Sequence, residues 1–222
     1  AWSSLAMGNY PYPSSYLLNG AGTLPAWPVR VACSHFDGVN VQDNKALLSA
    51  MRKAVGVYYN SSGEAPCFDF QGSANNATAE VNNHWDYQYC TEMFMPMSMD
   101  GVQDMFWAQP VDLQAEAEAC HQRWGLHPRT HWAAIEYGGH RILSSASNIV
   151  FSNGDLDPWA GTGVLESLSP SLVFVEVKDG AHHLDLMFSH PLDPQSVQDA
   201  RKLEMEMCRQ WIDSWYSAVV NS

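Results

Sequence analysis

Apolar positions recur at two different spacings along the chain, and the change between them divides the sequence. Over residues 43–59 and 112–124, apolar side chains recur every three or four positions, which predicts two amphipathic helices. From about residue 142 the pattern changes to short apolar runs at 148–151 and 172–177, each followed by a turn or loop. We predict two strands there, with a short helix near 163–168 between them.

The last periodic segment predicts a helix with one apolar face. Asp193 precedes Pro194, which is typical of a helix start, and apolar residues then recur every three or four positions. The prolines within residues 9–28 predict an extended connection, and the polar residues 61–83 predict a long loop. We therefore expect a mainly helical, loop-rich first part of about 140 residues and a final part of about 80 residues from an α/β layer.

The charged residues of the chain argue against two classes of binding partner. The 222 residues contain 24 acidic and 11 basic side chains, which gives a formal net charge of −13. Nucleic acids and anionic membranes bind clustered Lys and Arg, so neither is expected as a partner. The nine histidines would become charged near pH ~5 and offset much of the negative charge, which suits an acidic compartment.

Cysteines and glycosylation sequons point to the secretory route. The five cysteines lack the paired short spacings of a zinc site. Asn60 and Asn76 each begin an Asn-x-Ser/Thr sequon in a polar segment, where a glycan could be exposed. Together these features favour a secreted or lysosomal glycoprotein with disulfides. The first residues, beginning at Ala1, lack the features of a signal peptide, and we expect the chain to continue upstream.

Candidate catalytic residues follow the two predicted strands. Asp157 and His182 stand 25 residues apart, and adjacent parallel strands would bring the loops after them to one edge of the sheet. The carboxylate could then accept the Nδ1–H of the imidazole, as in a Ser-His-Asp triad. Asp155 and His183 are competing candidates for the acid and the base. Alternatively, the Asp-Pro pair simply begins a helix and the His-His pair belongs to a polar loop.

The sequence predicts neither a metal site at these residues nor the serine of a triad. A metal site formed by His182, His183 and Asp185 is disfavoured, because adjacent residues on an extended segment point in opposite directions. His183 and Asp185 are better explained as residues that fix the loop through hydrogen bonds. The serine of a triad is not evident, because the 222 residues contain no Gly-x-Ser-x-Gly motif.

Several motifs together resemble one peptidase family. The segments around Asp157 (Asn-Gly-Asp-Leu-Asp-Pro-Trp) and His182 (Gly-Ala-His-His-Leu-Asp-Leu) are similar to the Asp and His segments of the prolyl-specific lysosomal serine peptidases, which include Pro-X carboxypeptidase and dipeptidyl peptidase II. Further matches in the family's order begin at Tyr10, Leu24, Val57, Trp85, Gly101 and Ala200. The resemblance therefore extends over nearly the whole chain.

The resemblance implies an α/β fold in two parts. Residues 1–130 would belong to a mainly helical cap domain inserted into the hydrolase, and residues 131–222 to the C-terminal part of the α/β-hydrolase domain. By motif match Asp157 is the triad acid and His182 the general base, while the nucleophilic serine would lie upstream. Without that serine, this chain alone is expected to be inactive.

The resemblance also implies further site residues. Cys90 and Cys120 match a disulfide of the family, and Trp159 and Met95 match positions near the pocket for the substrate proline. We predict a serine exopeptidase of the Pro-X carboxypeptidase type acting on proline-containing peptides, without a cofactor or a metal. Dipeptidyl peptidase II-like removal of X-Pro dipeptides and a non-catalytic truncated glycoprotein are the alternatives. A homodimer is compatible with the family.

Overall fold

The computed structural model describes residues 1–68 and 77–220, and at residues 77–83 and 140 it describes the backbone alone. Contacts divide the chain into two compact units, Ala1–Ser73 with Ala146–Ser222, and Ala74–Ser145. The first unit contains the two predicted strands and therefore both candidate catalytic residues. The two units are defined by contacts between residues. The assignment of residues 1–130 and 131–222 to two family domains is a separate statement and stays a prediction.

The first unit combines helices with a parallel pair of strands. Its helices are α1 (Trp2–Met7), α2 (Pro28–Ser34), α3 (Asn44–Tyr59) and α8 (Gln195–Val220), and its strands are β1 (Ile149–Gly154) and β2 (Leu172–Val177). The strands run parallel, with Ile149 opposite Leu172 and Gly154 opposite Val177. Their carboxyl ends therefore lie side by side, which is the arrangement that the sequence predicted.

Two apolar clusters stabilise this unit. One joins strand β2, the loop after it and the first turns of α8 to the N-terminal segment, through Tyr10, Tyr12, Val175, Val177, Ala181, Leu184, Val197 and Ala200. The other packs α1, α2 and α3 together around Leu5, Leu24, Ala32 and Ala54. The first cluster includes Ala181 and Leu184 and therefore packs against the loop that carries His182.

The second unit contains α4 (Ala77–Thr91), α5 (Leu113–Trp124), α6 (Trp132–Glu136) and α7 (Gly139–Leu143). A disulfide between Cys90 and Cys120 joins α4 to α5, with the two Cα atoms 5.6 Å apart. The salt bridge between Arg123 and Asp86, at 2.6 Å, links the same two helices. The disulfide is the one that the family resemblance implied.

Most of the predicted elements are confirmed. Helix α3 begins after Asp43, whose carboxylate accepts hydrogen bonds from the N–H groups of Lys45 and Ala46, as expected of a helix cap. Helix α5 matches the predicted segment 112–124 and β2 matches its apolar run, whereas β1 continues beyond the run 148–151 as far as Gly154. These elements were predictable because their signals are local in the sequence.

The predicted helix at 163–168 is wrong. A 3₁₀ helix lies earlier instead, at Pro158–Thr162, and 163–168 is irregular. It begins there because the Asp157 carboxylate accepts the Trp159 N–H, while Pro158 supplies a backbone angle suited to the first helical position. The segment 9–28 is likewise not extended throughout, since it contains a 3₁₀ turn at Tyr16–Leu18 and ends at the first residue of α2.

Two other boundaries differ from the prediction. Helix α8 begins at Gln195, and the carboxylate of Asp193, the predicted cap, accepts hydrogen bonds from the His190 N–H and from Arg201. The predicted loop 61–83 is shorter, because α4 begins at Ala77. Among the helices in the described ranges, none has the length and apolar character needed to cross a bilayer.

Candidate active site

The backbones of the two loops at the sheet edge are joined directly. After β1, the N–H of Asp155 donates to the Val177 carbonyl at 3.2 Å and the N–H of Leu156 donates to the Gly180 carbonyl at 2.9 Å. Gly154 permits this approach, because a Cβ at that position would collide with the carbonyl group of Gly180. The two loops that carry Asp157 and His182 therefore hold each other in register.

Asp157 makes two hydrogen bonds with its carboxylate. Oδ1 accepts the N–H of Trp159 at 3.0 Å, and Oδ2 lies 2.9 Å from Nδ1 of His182. Both side chains are nearly buried, with 9% of Asp157 and 14% of His182 exposed. An ionised carboxylate can only accept, so this hydrogen bond requires a proton on Nδ1 of His182, and in the neutral imidazole the lone pair then lies on Nε2. This is the tautomer that a general base requires.

The backbone of His182 is held by the N-terminal segment. Its N–H donates to the carbonyl of Met7 at 3.1 Å, and its carbonyl accepts the hydroxyl hydrogen of Tyr10 at 2.6 Å. Burial raises the pKa of Tyr10, so this hydroxyl remains a donor. Met7 also accepts the indole N–H of Trp159 at its sulfur, at 3.4 Å. One short segment thus contacts both loops of the site.

The competing candidates have other contacts. Asp155 lies 3.6 Å from Nζ of Lys178 and forms an ion pair there. His183 has a left-handed backbone (φ 57°), and its ring centroid lies 3.6 Å from that of His182. Burial, followed by the adjacent His182, lowers the pKa of His183. Asp157 and His182 are thus the acid and the imidazole that the structure joins by a hydrogen bond.

The remaining predicted site residues are Trp159, Met95, Asn60 and Asn76. The Trp159 ring centroid is 6.2 Å from that of His182, which places the indole beside the candidate base. Met95 belongs to the second unit, after α4, and its side chain is half-buried. Asn60 follows α3 and accepts the Ala65 N–H through Oδ1, while Asn76 lies outside the described residues.

Among the side chains that the structure describes, His, Cys, Asp and Glu do not form a group of three or more that could hold a metal ion. Met7 and Arg201, which contact the site loops, were not identified from the sequence. Met7 carries no local signal of such a role, and the family match that begins at Ala200 and includes Arg201 does not indicate what Arg201 contacts.

Comparison with known proteins identifies the family. A family described as Serine carboxypeptidase S28 matches residues 5–204. Lysosomal Pro-X carboxypeptidase of Bos taurus is 43% identical over 215 residues, which cover 97% of this chain and 42% of the relative. The human protein of the same name is also 43% identical, over 98% of this chain and 42% of its own length.

The chain also covers less than half of the length of a less similar relative. Prolyl carboxy peptidase like protein 5 of Caenorhabditis elegans is 37% identical over 230 residues, which cover 94% of this chain and 43% of that protein. The chain therefore spans about two fifths of the length of the curated relatives it matches.

Proposed function

This chain belongs to the serine carboxypeptidase S28 family, and on that premise we propose that it supplies the acid and the base of a serine exopeptidase that cleaves next to proline. The observation that carries the proposal is the 2.9 Å hydrogen bond between Asp157 and Nδ1 of His182, at the carboxyl ends of adjacent parallel strands. The family is one of serine peptidases, and this pair is the kind of acid and base that such a mechanism uses.

In the proposed mechanism each residue has a distinct role. Nε2 of His182 removes the proton of the nucleophilic serine as it attacks the scissile carbonyl, and later donates that proton to the leaving amine. Asp157 fixes the imidazole tautomer and stabilises the imidazolium that forms. We place the serine in a preceding part of the full protein, because no Gly-x-Ser-x-Gly motif occurs among these 222 residues.

The proposed substrates are peptides with proline beside the cleaved bond. Trp159 supports this, since an aromatic face next to the base suits a flat, apolar pyrrolidine ring. A substrate-binding role for Met95, which belongs to the second unit, stays a prediction based on the family resemblance alone. We favour a Pro-X carboxypeptidase specificity because the relatives at 43% identity carry that name.

We assign a lysosomal localisation, because those relatives are named as lysosomal. The acidic composition and the nine histidines are compatible with activity at low pH. A homodimer and the absence of a cofactor are proposals based on the family, and glycans at Asn60 and Asn76 are proposals based on their sequons.

The experiment compares three proteins: the upstream-extended protein, the same protein with His182→Ala, and the 222-residue chain alone. Each is assayed near pH ~5 on a Pro-X carboxypeptidase substrate and on an X-Pro dipeptidyl substrate. We expect the extended protein alone to cleave, with preference for the Pro-X substrate. Cleavage by the His182→Ala variant or by the short chain would contradict the assignment of the triad.

The same assay decides between the alternatives. Preference for the X-Pro substrate would indicate the dipeptidyl peptidase II type instead. If neither substrate is cleaved by any of the three, the non-catalytic alternative is favoured.

A further inference from the structure

The loop that carries His182 continues into a segment held by one guanidinium group. Arg201, in α8, donates from Nε to the carbonyl of Asp185 at 2.7 Å. Its Nη2 donates to the carbonyls of Leu184 at 2.9 Å and Met187 at 3.0 Å. Three backbone carbonyls within five residues of His182 are therefore bound by a single side chain.

The guanidinium is itself fixed by a buried carboxylate. Nη1 of Arg201 donates to Oδ2 of Asp193 at 2.6 Å, and the Asp193 side chain is only 2% exposed. A charge-assisted hydrogen bond with one partner so well buried is geometrically restrictive. Since 20% of the Arg201 side chain is exposed, most of its stem is also packed. Arg201 thus acts as a rigid connection between α8 and the loop.

Tyr10 contacts the same loop through a different element. Its hydroxyl donates to the carbonyl of His182 itself at 2.6 Å, although the two residues are 172 positions apart in the sequence. The Tyr10 side chain is 1% exposed and belongs to the apolar cluster that also contains Val177 and Ala181. Two side chains from distant parts of the chain therefore bind the His182 carbonyl and the carbonyls that follow it.

We propose that Tyr10 and Arg201 are positioning residues that orient the imidazole of His182 toward the nucleophile, an inference that rests on the proposed function. Loop backbones have several accessible conformations, and a displacement of about 1 Å at a reacting group can cost roughly 100-fold in rate. Asp157 fixes one ring nitrogen, but it cannot fix the backbone from which the ring projects. The two side chains supply that restraint from the N-terminal segment and from α8.

The test uses the upstream-extended protein with Tyr10→Phe and with Arg201→Lys. The first change removes a single oxygen, and the second retains the charge but loses the planar array of donors. Matched controls are Tyr137→Phe, in the second unit, and Arg209→Lys, on α8, both at exposed positions. Each variant is first compared with the parent by thermal unfolding, so that a loss of folding is recognised.

The main measurement is the rate of covalent labelling by a fluorophosphonate, in which the serine oxygen attacks phosphorus, its proton passes to Nε2 of His182, and fluoride leaves. Labelling reports activation of the serine whatever the peptide specificity. We expect the labelling rate and kcat to fall about tenfold for Tyr10→Phe and about 100-fold for Arg201→Lys, with KM within about twofold and the controls unchanged. Folded variants that label at the parental rate would overturn the proposal.

Two further outcomes are informative. If Arg201→Lys does not fold, Tyr10→Phe decides, because it leaves the ring in place. A rise in KM with unchanged kcat would assign these residues to substrate binding and overturn the positioning role. If the parent is labelled but cleaves no proline peptide, the proposed specificity fails while labelling still tests the positioning residues.

A spectroscopic measurement covers the remaining case, in which the parent is not labelled. The Nδ1–H proton of His182 is then followed by NMR, since its resonance depends on the hydrogen bond to Asp157. We expect a shift or loss of that resonance in Tyr10→Phe and Arg201→Lys, and no change in the two controls. An unchanged resonance in all four variants would overturn the proposal.

Discussion

Asp157 combines a structural and a chemical task within one carboxylate. Oδ1 accepts the Trp159 N–H and begins the 3₁₀ helix at Pro158–Thr162, while Oδ2 accepts the Nδ1–H of His182. The two oxygens bind donors from different loops, so the side chain cannot rotate without breaking both bonds. The acid is thereby fixed before any substrate arrives.

Replacing Asp157 by Asn separates these two tasks. The amide keeps one oxygen for the Trp159 N–H but presents an NH₂ group to His182, which favours the wrong imidazole tautomer. In the upstream-extended protein we expect kcat to fall by about 10³- to 10⁴-fold, with thermal stability little changed. Peptide hydrolysis and thermal unfolding measure both quantities. Asp155→Asn is the matched control, and an equal loss of kcat there would contradict the assignment.

Glu204 is a titratable residue through which pH should change the stability of the first unit. Burial, followed by a hydrogen bond with Asp185 and the charge of that residue, raises the pKa of Glu204 from 4.5 to about 7. Ser152 and Arg201 act in the opposite direction. The folded state therefore keeps a proton that the unfolded chain releases near pH 4.5. The associated stability is present below pH 4.5 and is lost as the pH rises toward 7.

We expect the free energy of unfolding to fall between pH 5 and 8 by about 1–2 kcal/mol from this group, after allowing for its partial exposure to solvent. Glu204→Gln should remove most of that fall and raise stability at pH 8, because the amide carries no charge. Urea unfolding of the upstream-extended protein at several pH values measures the effect. Glu206→Gln, at an exposed position of α8, is the control. An undiminished pH dependence in Glu204→Gln would refute the prediction.

At the scale of elements, the site depends on how closely two loops approach. The carbonyl of Gly180 occupies the space that a Cβ on Gly154 would need, so the contact is possible only because Gly154 has no side chain. Gly161, in the following 3₁₀ helix, has no neighbouring atom within 4 Å of such a Cβ. The two glycines therefore provide a matched pair.

Gly154→Ala is expected to push the Asp157 and His182 loops apart. The displaced atom is backbone and cannot swing away, so we expect a loss of stability of about 1–3 kcal/mol. The separation of the two loops should also lower kcat. Gly161→Ala should leave both quantities nearly unchanged. Thermal unfolding and peptide hydrolysis of the two variants in the upstream-extended protein provide the comparison, and equal effects would show that the close approach is unimportant.

The elements that the sequence predicted well are those with local signals. The cap at Asp43, the strands before Asp157 and His182, and the apolar face of α8 each follow from spacing or from a capping residue. The restraints on His182 have no such signal. Met7 and Tyr10 precede it by more than 170 positions, and only the folded chain brings them to its backbone. The helix predicted at 163–168 lies earlier, at Pro158–Thr162, because the Asp157 carboxylate caps it there.

At the scale of the whole molecule, burial of the sheet is uneven. Strand β2 contains three buried residues, whereas in β1 only Gly154 is buried and the five preceding residues are half-buried. Parallel strands are normally covered on both faces. On α8, the exposed apolar residues include Met205, Ile212, Trp215 and Val220. These surfaces are expected to be covered by the remainder of an α/β-hydrolase sheet and its helices in a longer protein of this family.

Hydrogen exchange tests this expectation without reference to activity. We expect the amides of 149–153 to exchange at least tenfold more slowly in the upstream-extended protein than in the 222-residue chain, because further strands and helices would cover β1. The amides of α5 serve as the control, since the Cys90–Cys120 disulfide holds that helix within its own compact unit. Equal exchange of β1 in the two proteins would mean that the remainder of the protein does not cover this strand. The proposed position of the strands within a larger hydrolase sheet would then be wrong, whatever the Asp157–His182 pair is found to do.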